Sequence, residues 1–111
     1  MSSINVWQER SKMLNIEKRM DGQELIVELE GRLDTLTAPQ LEKAVSEDIE
    51  KAESILFDFG KLEYISSAGL RVINAVDIEM SEKKGMALKD VHGSVMDVLE
   101  LTGLSNELKI I

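Results

Sequence analysis

Ile55-Leu-Phe-Asp-Phe-Gly-Lys-Leu-Glu-Tyr-Ile-Ser-Ser-Ala-Gly-Leu70 decides how the rest of the chain is read. Its opening, Ile55 to Phe59, is a short apolar run broken only by Asp58, the pattern of a central strand covered on both faces. Its close sets Ser66-Ser67 ahead of Leu70, Ile73, Val76 and Met80, spaced three or four apart, which predicts a helix with one apolar stripe. Lys83-Lys84-Gly85 then supplies the cations and the glycine that a helix C-terminus favours. Met86-Ala-Leu-Lys89 is the next strand. A strand, a helix and a strand in succession form a crossover, which makes the two strands parallel.

Upstream, Leu14 to Met20, Asp21-Gly22 and the alternation of Leu25, Val27 and Leu29 predict an antiparallel hairpin with a tight turn at Asp-Gly. After Gly31-Arg-Leu-Asp34, the segment Thr37-Ala-Pro-Gln40 reads as a helix start. Threonine is the expected cap, proline fits the first turn, and Gln40 completes a capping box. Leu41, Val45, Ile49 and Ala52 continue at helical spacing, with Glu42, Glu47, Asp48 and Lys51 on the wet side. Downstream, Ser94 to Thr102 is a shorter helix ending at Gly103, and Leu108 to Ile111 is a final strand. The order β-β-α-β-α-β-α-β, with two crossovers, predicts an α/β sandwich. Loops leaving the carboxyl ends of its parallel strands gather on one rim, which is expected to carry Asp34, Ser66-Ser67 and Asp90 to His92.

The chain has 111 residues, about one domain's worth. It has no cysteine and one histidine, which excludes a disulfide framework, a thiolate metal site and a cysteine nucleophile. No metal or other cofactor is expected. With 13 basic and 21 acidic residues the net charge is -8, which repels nucleic acid and anionic lipid and suits a protein partner. No signal peptide or membrane span is read, so a cytoplasmic protein is expected. The first 13 residues read as an extension holding the single tryptophan, Trp7. Trp7 is expected to pack over an end of the sheet; the alternative is pairing with a second copy. A monomer or weak homodimer is expected.

Enzyme readings do poorly. Ser67, Asp90 and His92 stand in the chain order of a hydrolase triad, but Ile65 replaces the first glycine of Gly-x-Ser-x-Gly. No glycine set matches a phosphate loop. Glu47, Asp48, Glu50 and Glu53 read as a solvated helix face rather than a cation site. Ser66-Ser67 is different because a strand-to-helix junction suits both an N-cap and a modification site. If Ser66 caps, Ser67 lies in the first turn, where free N–H groups and the helix dipole welcome a phosphate. Phosphorylation there adds about -1.5 to -2 charges beside Asp34 and Glu63.

Gly31-Arg-Leu-Asp34, Thr37-Ala-Pro-Gln-Leu41, Ile55-Leu-Phe-Asp-Phe59, Tyr64-Ile-Ser-Ser-Ala-Gly-Leu70 and Leu99-Glu-Leu-Thr-Gly-Leu104 follow the order and spacing of the STAS domain. Residues 14–111 resemble the bacterial anti-sigma factor antagonists. The resemblance implies a mixed β-sheet of four to five strands with helices packed on one face. It also implies a non-enzymatic switch. The unphosphorylated protein binds an anti-sigma factor that is also a serine kinase and so frees a sigma factor; phosphorylation releases it, and a serine phosphatase resets it. The family's phosphoacceptor falls on Ser67, with Ser66 as the second candidate. Asp34, Ser66, Ser67, Gly69 and Leu70 are the implied partner-binding residues. Asp34 also reads as a turn residue bonding its own backbone. Two alternatives come with the family resemblance and the chemistry. One is an unmodified adaptor subunit of a lipid-transporting ABC system; the other, a nucleotide-binding protein, lacks a phosphate loop.

Overall fold

The computed structural model describes residues 14–111. The N-terminal extension and the expectation for Trp7 therefore lie outside the described residues. Five strands form one sheet: β1 (Leu14–Asp21), β2 (Glu24–Leu33), β3 (Ser54–Ile65), β4 (Met86–Lys89) and β5 (Lys109–Ile110), in the order β1-β2-β3-β4-β5. Three helices connect them: α1 (Ala38–Ser46), α2 (Ser67–Met80) and α3 (Gly93–Thr102), the last followed by a 3-10 turn at Leu104–Asn106. β1 and β2 are antiparallel, and each later neighbour pair is parallel. There are thus three crossovers rather than two, because the short β5 also pairs with β4.

Alternation decides which face is covered. Leu25 and Val27 of β2 line up with Ile55 and Phe57 of β3, and these with Met86 and Leu88 of β4, while Leu29 and Phe59 follow at the next alternate positions. All join one buried cluster with Leu41 and Val45 of α1, Ile73 and Met80 of α2, and Val95 and Leu99 of α3. The helices pack on that face, as an α/β domain with one apolar side requires. Fully burying each such side chain is worth about 1.5–3 kcal/mol, and Met86 and Leu88 supply this for the short β4.

Three local expectations are corrected. The hairpin loop is Gly22-Gln23, not Asp21-Gly22: Asp21 pairs with Glu24, and Gly22 takes the first loop position at φ 63°. Positive φ at the first position alone is the demand of a type II′ turn, which glycine meets without strain. α1 stops at Ser46, but the spacing continues through hydrogen-bonded turns that keep Ile49 and Ala52 buried. β3 does not end at Phe59. It runs on to Ile65, with one extra residue between Asp58 and Lys61 and another between Leu62 and Tyr64 relative to β2. Asp58, the polar exception in the apolar run, accepts the Gly60 N–H at 2.9 Å and closes the first of these bulges.

Candidate functional site

The lengthened β3 carries Ser66 to the end of β2. Ser66 N–H donates to the Leu33 carbonyl at 2.9 Å, which fixes where α2 begins. Ser66 has extended backbone, φ -103° and ψ 176°, and its hydroxyl accepts the Gly69 N–H at 3.4 Å. It is the N-cap. Ser67 is then the first helical residue, exposed, and its hydroxyl has no protein partner among the described residues. Gly69 and Leu70, expected among the partner-contacting residues, are buried. They set the seat of the helix on β2 and β3 and offer no surface themselves.

Asp34 proves to be a turn builder. Its Oδ1 accepts the N–H groups of Leu36 at 3.0 Å and Thr37 at 3.2 Å, while its carbonyl accepts Ala38 N–H at 2.8 Å. The expected capping box is absent. Thr37 has helical backbone, and its hydroxyl donates to the Arg32 carbonyl at 2.8 Å while accepting Asp34 N–H at 2.8 Å. Gln40 donates instead to the Leu14 carbonyl at 3.0 Å, tying α1 to β1. The reason is competition: aspartate two residues ahead of the orphan amides closes an Asx turn, leaving threonine to brace it. Arg32 was not read from sequence. Its guanidinium lies 4.2 Å over the Tyr64 ring, and its Nε is 3.7 Å from Asp34 Oδ2. The neighbouring strand positions Arg32 and Tyr64 were the available signal, but their pairing depends on the second β3 bulge.

The rim is stepped. β4 pairs with β3 only as far as Asp58–Lys89, so Asp90 to His92 turn away beside Gly60. His92 Nε2 lies 2.9 Å from the Gly60 carbonyl and, since a carbonyl only accepts, must be the donor. Gly60 precedes Ile65 by about 15 Å of strand. Ser67, Asp90 and His92 are therefore not brought together, and no hydrolase triad exists. On the face of the sheet away from the three helices, a cavity of about 470 Å³ is lined by Glu17, Glu28, Glu30, Asp58 and Asp90, with Lys61 the one cation among the described lining residues. Five carboxylates repel nucleotide phosphates. Among the described residues no group of three or more His, Cys, Asp or Glu side chains could hold a metal, and no helix is long and apolar enough to cross a membrane.

The sequence profile of the STAS domain matches residues 15–111. The candidate anti-sigma factor antagonist BtrV of Bordetella bronchiseptica is 36% identical over 87 residues, covering 77% of this chain and 74% of that protein. An anti-sigma factor antagonist of Mycobacterium paratuberculosis superimposes with a TM-score of 0.79 at 21% identity, over 87% of this chain and 84% of that one. The Bacillus cell fate determinant SpoIIAA in its phosphorylated form gives 0.69 at 19% identity, over 87% and 91%. The two solved structures share the fold. With the profile spanning nearly all of the described residues, the chain belongs to the STAS domain family.

Proposed function

We propose that the chain is an anti-sigma factor antagonist governed by phosphorylation of Ser67. The observation that carries the reading is the division of labour between adjacent serines. Ser66 is committed to the cap, whereas Ser67 is exposed on the first turn of α2 and its hydroxyl has no partner among the described residues. The Asp34 turn stands beside it, linked through Leu33 to Ser66. The 36% identity to an antagonist candidate supports the same role. Unphosphorylated, this rim docks on an anti-sigma factor that is also a serine kinase. Asp34, Ser66 and Ser67 form its surface, seated on Gly69 and Leu70.

In the transfer step Ser67 Oγ attacks the terminal phosphorus of a nucleoside triphosphate held by the kinase. The nucleoside diphosphate leaves, and the serine proton passes to a base of the kinase. The new dianion lies beside Asp34 and Glu63, and repulsion and steric bulk expel the partner. A serine phosphatase then delivers water to the phosphorus and returns the hydroxyl. Such a protein is a binding module rather than an enzyme, working in the cytoplasm where sigma factors act. Phosphopeptide mapping of the protein from host cells tests this. Phosphate on Ser67 is expected; its absence under every growth condition, or its presence only on Ser66, overturns the assignment.

A further inference from the structure

One turn beyond Ser67, at the i+4 position of α2, stands Arg71, and both residues are exposed. Side chains on a helix lean toward its N-terminus, so the stem of Arg71 runs back over the turn that contains Ser67. The other cations around this rim have occupations. Arg32 is stacked on Tyr64 and lies 3.7 Å from Asp34. Lys61 lines the acidic cavity on the face of the sheet away from the helices. Among the described residues no carboxylate lies within ion-pair distance of Arg71, although the molecule is strongly acidic.

We infer that Arg71 is the residue that receives the phosphate on Ser67, clamping it across the first turn of α2. The inference rests on the reading of Ser67 as phosphoacceptor and adds where the phosphate goes. An anion at i and a cation at i+4, in that order, is the favourable arrangement along a helix. The guanidinium offers parallel N–H donors that match two phosphate oxygens, and the Ser67 and Ala68 amides precede the helix's own hydrogen-bond ladder at the same end, the Gly69 N–H being held by Ser66. The charged and polar groups on the elements that meet at this helix start are Arg71 and Ser66 from α2 and its cap, Asp34 from the β2–α1 turn, Arg32 from β2, and Glu63 from β3. The two carboxylates oppose the dianion, and Arg71, without an ion-pair partner among the described residues, is the cation that offsets them. The clamp makes the modified rim one fixed shape, so the partner meets a held phosphate rather than a loose one.

The test installs phosphoserine at position 67 during translation of the full chain, so that no kinase is required. The phosphorus resonance is followed through its second ionisation, at about pH 6, in the otherwise unchanged protein and in Arg71→Gln, Arg71→Lys and Arg32→Gln. Arg71→Gln is expected to raise that ionisation by roughly 0.3 pH unit, Arg71→Lys to recover part of the shift, and Arg32→Gln to move it less. The Arg71 Nε–H resonance is expected to shift between the serine and phosphoserine forms. Superimposable curves for Arg71→Gln and the parent, or a larger effect from Arg32→Gln, overturn the clamp. A failure of the switch reading shows separately, as absence of phosphate from Ser67 in host cells.

Discussion

Gly69 of α2 lies so close to Leu33 of β2 that a methyl group on its Cα would sit 2.7 Å from Leu33 Cγ and 2.9 Å from the Leu33 carbonyl oxygen. That carbonyl also accepts the Ser66 N–H. One contact thus fixes both the helix and the serine pair. Gly69→Ala is expected to push α2 off β2 and cost about 1–3 kcal/mol, read as a lowered urea midpoint. An unchanged midpoint would mean that the helix start is not seated by this contact.

The adjacent serines should separate cleanly in stability. Ser66→Ala loses the cap and should cost about 1 kcal/mol, while Ser66→Asp, which keeps an acceptor at the cap, should stay within about 0.5 kcal/mol of the parent. Ser67→Ala should also stay within about 0.5 kcal/mol, since it breaks no bond among the described residues. Equal losses at 66 and 67 by thermal unfolding would contradict this division of roles.

Asp34 offers a second separation, between geometry and charge. Asp34→Asn retains the Oδ1 acceptor of the Asx turn and should fold with nearly unchanged stability, whereas Asp34→Ala should lose about 1 kcal/mol. If the asparagine variant is as unstable as the alanine one, the ion pair with Arg32 matters more than the turn.

Away from the site, Lys18 of β1 bridges to the end of α1, with its Nζ 2.7 Å from Asp48, 2.9 Å from Glu47 and 2.8 Å from the Ala44 carbonyl. The hydrogen bond to Asp48 first, then that to Glu47, holds the ammonium above its ordinary 10.5, and the same bond to Lys18 holds Asp48 below its ordinary 3.8. The Asp48 contribution is therefore present above 3.8 and lost as pH falls through the depressed value; that of Lys18 is present below 10.5 and lost as pH rises through the raised one. Lys18→Met should cost about 1 kcal/mol at neutral pH, and the difference should shrink in strong acid. A difference independent of pH would assign the loss to packing.

How far the sequence discloses this molecule depends on the range of the interaction involved. The strand Ile55–Phe59, the stripe Leu70-Ile73-Val76-Met80 and the Ser66 cap are legible because periodicity and capping are local. The extension of β3 to Ile65 is not, since Gly60, Lys61 and Glu63 break the alternation, and the strand continues only because Lys61, Leu62, Tyr64 and Ile65 pair with β2 across two bulges. That extension lifts Ser67 clear of His92, so a level rim was expected where a stepped one exists. At Thr37 two local rules competed, cap against Asx turn, and the outcome depended on where Arg32 places its carbonyl. The exposure of Ser67 and the burial of Gly69 and Leu70 follow the helical pattern, whereas the closeness of Gly69 to Leu33 is a tertiary fact.

The most direct measurement is affinity capture from host lysate by the wild-type protein, Ser67→Ala and Ser67→Asp, with the bound proteins identified by mass spectrometry. A serine kinase of the anti-sigma type is expected to be held by wild type and Ser67→Ala and lost by Ser67→Asp, all three being folded. Equal retention of that kinase by all three, or recovery of membrane-transport subunits by each alike, would contradict it.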